Sequence, residues 1–192
     1  DQVTVTVTAY TDTSHVSATL DYAPHTSLQN VATSDWALAA SLLSGLWHLE
    51  GKTVAILADG SVQPSAVVAN GQISVPRACG RIVAGLAYAC DLQTLDLEQG
   101  PPTLQGRRKR VQEVVLRVKS TRGLAAGPNF ERLVEIKERT SENFGTATAL
   151  VTGDERVLVD PLWNSNGRVA IRQAFPLPAT LVAVIPRLEA GE

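Results

Sequence analysis

Four consecutive cations, Arg107, Arg108, Lys109 and Arg110, form the clearest chemical signal in this chain of 192 residues. Cations in such a run can contact phosphates, and each phosphate that is neutralised adds salt-dependent affinity. No aromatic residue is interleaved among them, which argues against stacking on the bases of a single strand. The alternative is a solvated loop that leads into a strand. The sequence favours the loop and leaves phosphate contact open.

Trp163 is the second candidate, because it lies in a short polar segment just before a predicted turn. An exposed indole on a loop can stack on a sugar ring or anchor a protein partner. A tryptophan that packs back against the edge of a sheet fits the sequence at least as well. We therefore predict a ligand-facing role for Trp163 only as an alternative.

Residues suited to catalysis are sparse. Asp91 with Asp96, and Asp154 with Glu155, could supply the two carboxylates of a glycosidase, but such residues are also common in turns. The chain contains no nucleophile elbow, Walker loop or dinucleotide fingerprint. We therefore predict no catalytic residue and no cofactor, and we expect that the protein is not an enzyme.

Metal-binding residues are equally sparse. The three histidines have no ligand spacing, and the closest approach to a metal pair is His48 beside Glu50. Cys79 and Cys90 flank a predicted strand that would hold them too far apart for a disulfide, so we expect two free, buried thiols and a reducing site of folding. No metal site is predicted.

Composition limits the classes of protein that fit. A hydrophobic content of 44% and a charged content of 19% are typical of a folded globular chain. The net charge of −2 predicts no bulk attraction to nucleic acid or anionic membranes, and no apolar run approaches the ~18 residues of a membrane span. Methionine is absent even at position 1. We therefore expect residues 1–192 to be one all-β fragment of a longer chain, with a sub-boundary, if one exists, near residues 98–106.

Strand signals occur along most of the chain. Valine and threonine alternate over residues 3–8, which predicts a half-buried strand, and residues 16–20 would complete an opening hairpin. Residues 36–47 are ambiguous between a short helix and an extended segment, with their two tryptophans in the core either way. The apolar run at 54–57 predicts a buried strand that ends at an Asp59-Gly60 turn.

Two Asn-Gly pairs predict hairpin turns, because both residues tolerate the positive φ of a type I′ turn. Asn70-Gly71 would join strands at 67–69 and 72–75, the second ended by Pro76. Asn166-Gly167 would join strands at 156–160 and 168–175. Further strands are expected at 82–88, 133–137 and 111–119, the last with Val114, Leu116 and Val118 on the face opposite to Val115, Arg117 and Lys119. A final strand at 180–185 should be largely buried and end at Pro186.

Many short strands with frequent turn signals predict an all-β fold. We expect antiparallel strands and hairpins in a sandwich or barrel, arranged as one domain or as two small β subdomains, with little helix. Amphipathic helices between the strands are absent from the sequence, which argues against a parallel α/β sheet.

Nine short segments carry a resemblance that composition could not reveal. They are GLWHLEGKTVAILADG (45–60), NGQISVPR (70–77), VAGLAY (83–88), TL (94–95), QGRRKR (105–110), LRV (116–118), RT (139–140), LVTGD (150–154) and QAFPLP (173–178). In order and spacing they resemble the distal tail tube, or nozzle, proteins of podoviruses and prophages, also called tail tubular protein B. The first segment also resembles proteins described as having an FCCH-like domain of ubiquitin-activating enzymes.

The resemblance implies a structural component of a bacteriophage tail, made in the cytoplasm of a bacterial host and located in the virion tail. Six copies would form a ring around a DNA-conducting channel, in contact with neighbouring tail proteins and without membrane insertion. Residues 107–110 would then contact either DNA or the next subunit. The alternative is a carbohydrate- or receptor-binding β module of a tail, and a hydrolase acting on cell-wall or capsule polymer is a third hypothesis.

Overall fold

The computed structural model describes residues 5–12, 15–20, 39–98, 100, 103–137, 147–160 and 162–191. This part of the chain consists of β-strands and one short 3₁₀ turn at Trp47–Leu49, which confirms the all-β prediction. The strands are β1 (Val5–Asp12), β2 (His15–Leu20), β3 (Ala40–Ser44), β4 (Thr53–Ala58), β5 (Ser61–Val67), β6 (Gln72–Cys79), β7 (Ile82–Leu86), β8 (Cys90–Gln93), β9 (Lys109–Thr121), β10 (Leu124–Gly127), β11 (Val134–Glu135), β12 (Val151–Leu158), β13 (Ala170–Gln173) and β14 (Leu181–Ala190).

The described strands pair antiparallel in five small sheets. Their orders are β1-β2, β3-β6, β5-β4-β7, β11-β10-β13-β8 and β12-β9-β14. The predicted opening hairpin is confirmed as β1-β2, but Val5 and Val7 remain exposed. The predicted burial of one face of this hairpin is therefore wrong for these two valines.

The first hydrophobic core is built by β4, β6 and the segments around them. Val54 and Ile56 point inward from β4 while Thr53 is exposed, so the strand alternates as its sequence requires. The buried residues of this core are Leu46, Val54, Ile56, Ala58, Val68, Ile73, Val75 and Cys79.

The second core forms around β9, the longest strand. Val114, Leu116 and Val118 are buried, whereas Arg117 and Lys119 on the opposite face are exposed, as the alternation predicts. The other buried members of this core are Val111, Leu124, Ala126, Val157, Val159, Val169 and Ile171.

The change from one core to the other comes between β7 and β8, around residues 87–89. Residues 98–106 lie within the segment of the second core, after β8. Arg122 connects the two groups of strands: its buried guanidinium donates hydrogen bonds to the backbone carbonyls of Gly60 and Thr148. The Cβ of Ala147 also lies 3.1 Å from an ideal Cβ position on Gly60.

The Asn70-Gly71 turn forms, with φ values of 53° and 65°, as a type I′ turn requires. The predicted hairpin forms only next to the turn, where Ala69 and Gln72 exchange two backbone hydrogen bonds. Beyond that pair the prediction is wrong, because β5 and β6 enter different sheets. Ile73 on β6 must face the buried side chains of β4 across the core, which places β6 opposite the sheet of β5 instead of beside it.

The second predicted hairpin is also wrong. β12 pairs with β9, whereas β13 pairs with β10 and β8 in another sheet. The intervening loop is shaped by Asn164, whose side-chain oxygen accepts hydrogen bonds from the backbone N–H groups of Asn166 and Gly167. This local turn redirects the chain from one sheet to the next.

Three prolines lie inside strands: Pro64 in β5, Pro76 in β6 and Pro186 in β14. Pro76 and Pro186 were predicted to end their strands. Each of the three strands has a described partner on one side only. An edge strand tolerates proline because one row of its backbone groups needs no partner in the sheet. Ile185 pairs with Val115 on the outward face of the sheet, and both Ile185 and Val182 are exposed. The prediction of a largely buried last strand is therefore wrong.

The ambiguous segment 36–47 is extended at β3, and its first three residues lie outside the described residues. Trp47 is 69% exposed, so its predicted core role is wrong. Its ring covers the Asn70-Gly71 turn: a Cβ on Gly71 would lie 2.6 Å from the indole. Cys79 and Cys90 are free as predicted, although Cys90 is exposed.

Candidate interaction surface

The basic run at residues 107–110 is divided by the alternation of β9. Arg107 and Arg108 are exposed, but the side chain of Lys109 points inward and is only 1% exposed. Its Nζ donates a hydrogen bond to the carbonyl of Leu97 at 3.0 Å, and its backbone exchanges two hydrogen bonds with Asn164. Lys109 is therefore committed to the fold and presents no charge to a partner.

Arg110 and Trp163, which were predicted separately, are in contact. The Arg110 guanidinium lies 5.0 Å from the centroid of the Trp163 ring, within the range of a cation–π interaction. Arg110 also donates a hydrogen bond to Glu189 at 2.7 Å, because β9 and β14 pair these two residues directly. The backbone bridge between Lys109 and Asn164 places the neighbouring Trp163 beside the strand.

This contact defines the chemistry open to Trp163. One part of its ring is occupied by Arg110, and 43% of the residue remains exposed. A planar ligand or an apolar partner could still use the exposed part. A sugar-binding module would be expected to combine Trp163 with Trp47 or Trp36 in one aromatic platform. This platform has no support, because Trp47 lies over the Gly71 turn and Trp36 is outside the described residues.

A second group of cations lies on the outer face of the β12-β9-β14 sheet. Glu113 has a largely buried side chain, and its two carboxylate oxygens face Arg156 at 3.7 Å and Arg187 at 3.3 Å. Both arginines are more than 70% exposed. Sequence reasoning missed this cluster because its members come from three strands, although the alternation of β9 did place Arg117 and Lys119 on the same outward face.

Three of the four carboxylates suggested for hydrolysis, Asp91, Asp96 and Asp154, are occupied by arginines. Arg117 donates two hydrogen bonds to Asp154, at 2.7 and 2.9 Å, and Arg172 donates two to Asp91, both at 2.7 Å. These hydrogen bonds hold the pKa of each carboxyl below its usual value. A glycosidase needs one carboxylic acid with a raised pKa, which is the opposite perturbation. Asp96 likewise forms an ion pair with Arg168.

The suggested metal pair is also otherwise engaged. His48 is exposed, and both carboxylate oxygens of Glu50 accept backbone hydrogen bonds, from Asn70 at 2.9 Å and from Gly71 at 2.7 Å. Within the described ranges, no group of three or more histidine, cysteine, aspartate or glutamate residues could hold a metal ion. Glu50 instead stabilises the turn between the two sheets of the first core.

An open groove of about 620 Å³ lies where Arg122 connects the two groups of strands. Its lining includes Ser61, Lys137 and Phe175. Glu135 is the one carboxylate among its described lining residues, so the groove does not hold the carboxylate pair of a glycosidase. The buried cation of the groove, Arg122, is already bound to backbone carbonyls.

Fold and surface together define an all-β protein with two small hydrophobic cores and with Arg117, Arg156 and Arg187 on the outer face of the β12-β9-β14 sheet. In the part of the chain that the structure describes, no helix is long and apolar enough to cross a bilayer. Comparison of the sequence with models of known protein families, and with curated proteins, finds no match.

Proposed function

We propose that this chain is a structural module of a bacteriophage tail, of the nozzle type, that contributes to an oligomeric DNA-conducting assembly. The proposal combines the resemblance of nine ordered segments with one structural observation, an apolar outer face on the β5-β4-β7 sheet. In this proposal the protein acts in the virion tail, its partners are further copies of itself and neighbouring tail proteins, and it catalyses no reaction.

The apolar face follows directly from the register of the three strands. Val62, Leu57 and Val83 lie side by side in one row across the sheet, on the face opposite the buried Ile56. The next row contains Ala55 and Gly85. No residue of β4, β5 or β7 is charged. Val62 and Val83 are nevertheless 38% and 49% exposed.

A sheet that is apolar on both faces is typical of a sheet covered on both sides. In an antiparallel sheet with one solvated face, polar residues normally alternate with apolar ones, and this sheet departs from that pattern. An exposed patch of this kind marks a contact with another molecule. The face therefore favours a part of an assembly over a freely diffusing catalyst.

The experiment is to detect the protein in purified phage particles with an antibody raised against this chain, and to image the unmutated protein, the parent of the variants below, by electron microscopy. We expect the antibody to label the tail and the parent to form rings. Val83→Glu should prevent ring formation, because it places a charge in the interface, whereas Leu158→Glu, at a 75% exposed site on another sheet, should not. A parent that stays monomeric and is absent from the particles would refute the proposal.

A carbohydrate- or receptor-binding module is the second candidate, and the exposed part of Trp163 is the observation that favours it. Stacking of a sugar on this ring would change tryptophan emission on addition of a glycan panel. Trp163→Phe should abolish that change, and Trp47→Phe should leave it. Unchanged emission with every glycan would exclude this candidate.

A further inference from the structure

The outer face of the β12-β9-β14 sheet carries cations from all three of its strands. β9 contributes Arg117 and Lys119, β12 contributes Arg156 and β14 contributes Arg187. We call these four residues the basic face. The four residues do not include Arg110, which lies further along β9 on the same outward side and is paired with Glu189. Cross-strand pairing is what brings the four together. Arg156 and Arg187 both flank Glu113, which lies opposite Arg187 on the neighbouring strand.

The charges on the basic face do not balance. Asp154 neutralises Arg117, but Glu113 is shared between Arg156 and Arg187. One carboxylate between two guanidiniums leaves a net positive charge, and Lys119 adds another. The net charge of the whole chain is −2, so this positive region is local and does not follow from overall composition.

The two arginines beside Glu113 are available to a ligand. Their side chains are 79% and 75% exposed, whereas that of Glu113 is 13% exposed beneath them. The two guanidinium groups therefore face solvent, and an incoming anion can reach them while Glu113 stays in place beneath. Guanidinium groups also match phosphate oxygens in two-pronged geometry, which favours phosphate as the anion.

The spacing of the basic face suits a repeating polyanion. Outward residues of one strand lie about 7 Å apart, and adjacent strands lie about 4.8 Å apart. Phosphates follow each strand of duplex DNA at about 3.4 Å along the helix axis, so several could approach the face at once. A flat sheet offers no element that enters a groove and reads bases.

We propose that the basic face binds the phosphate backbone of duplex DNA without sequence specificity. The inference deepens the proposed tail function and rests on it for the biological origin of the DNA. Binding by the isolated chain can nevertheless be measured independently of rings or virions. Failure to bind DNA would overturn this inference alone, and absence from virions would overturn the tail function alone.

The test is fluorescence anisotropy with a labelled 20-base-pair duplex of arbitrary sequence, titrated at several salt concentrations between 50 and 200 mM. Each phosphate contact contributes about 0.9 to the slope of log affinity against log salt. Arg156→Gln and Arg187→Gln should therefore each lower the slope by about 1 and weaken binding at every salt concentration. Each single variant leaves Glu113 with one arginine, and a thermal midpoint within a few degrees of the parent checks the fold.

Arg132→Gln and Arg172→Gln are the matched controls, because they remove the same charge from arginines paired one-to-one with Asp160 and Asp91. Both should bind DNA with unchanged slope. Equal losses in all four variants would overturn the inference, since binding would then depend on total charge. No binding by the parent at 50 mM salt would overturn it as well. Binding to vesicles of anionic phospholipid without binding to DNA would also overturn the inference.

Discussion

Truncation of Leu116 to alanine tests the orientation of β9, on which both the second core and the basic face depend. Leu116 is fully buried and lies at the centre of the sheet, paired with Glu155 on β12 and Val184 on β14. Truncation of a buried leucine costs about 2.7–5 kcal/mol, from lost transfer free energy and from the cavity left behind. Because two neighbouring strands restrict collapse of the site, we expect about 3–4 kcal/mol.

Leu158→Ala is the matched control, since it makes the same change on the adjacent strand at a residue that is 75% exposed. We expect a change within about 0.5 kcal/mol, as for other surface substitutions. Urea denaturation monitored by far-UV circular dichroism gives the free energy of unfolding of both variants and of the parent. The slope of the free energy against urea should be unchanged, so that a shifted midpoint reports stability.

The result that would refute this reasoning is equal sensitivity at the two positions, or a loss below about 1 kcal/mol for Leu116→Ala. A slip of one residue in strand register moves every side chain to the opposite face. Leu116 would then be outside and Arg117 inside. Such a result would remove the basic face together with the core.

Three further outcomes are expected. Gly71→Ala should destabilise the protein by about 1–3 kcal/mol more than Gly45→Ala, because both glycines have positive φ but only a Cβ at Gly71 clashes with an indole ring. Equal losses in thermal unfolding would show that the ring moves aside. Asp154 has a lowered pKa in the folded state, so its ion pair with Arg117 contributes stability above the unfolded pKa of about 4. This stability is lost as the pH falls through the folded pKa. Asp154→Asn should therefore make the free energy of unfolding less dependent on pH in the acid range, and an unaltered dependence would contradict the pairing. Cys90 should react at once with a thiol reagent at pH 8, because it is exposed. Cys79 should react only on unfolding, because it is buried and burial raises the pKa of its thiol. Rapid reaction of two thiols per protein molecule would contradict this.

Local features of the fold were predictable from the sequence. The alternation in β9 placed Val114 and Leu116 inward and Arg117 outward, because side chains of a strand point to opposite faces in turn. The positive φ values at Asn70-Gly71 followed from the conformational preferences of those two residues. These features depend on neighbours one to three positions apart.

Pairing between strands was much less predictable. Each Asn-Gly turn was assigned to a hairpin, yet the strands on either side of it entered different sheets. A turn determines the direction of the chain over a few residues, but sheet membership depends on which apolar faces meet across a core. Pro76 and Pro186 were assigned as strand ends for the same reason, because edge position is a property of the sheet.

The candidate surface likewise combines features that were predictable from the sequence, such as the outward position of Arg117, with features that were not. Residues 107–110 look like one basic group in the sequence, but Lys109 shares the inward parity of Val111 and is buried. The alternation of Val114, Leu116 and Val118, extended back along the strand, would have placed Lys109 outward. A register shift between Val111 and Glu113 reverses the parity, and the sequence carried no signal of it. The contact between Arg110 and Trp163, 53 positions later, had no signal either.

The sequence by itself determined that this protein is built from short strands, and it determined which side chains face inward over residues 114–119 of the longest strand. Those properties follow from backbone geometry and apolar periodicity, which act over a few residues. Only the tertiary structure decided which strands are neighbours, that an apolar face remains open on one sheet, and that Arg156 and Arg187 share Glu113 on another. Such arrangements depend on hydrogen bonds and packing between residues far apart in the chain, whose register local preferences do not specify.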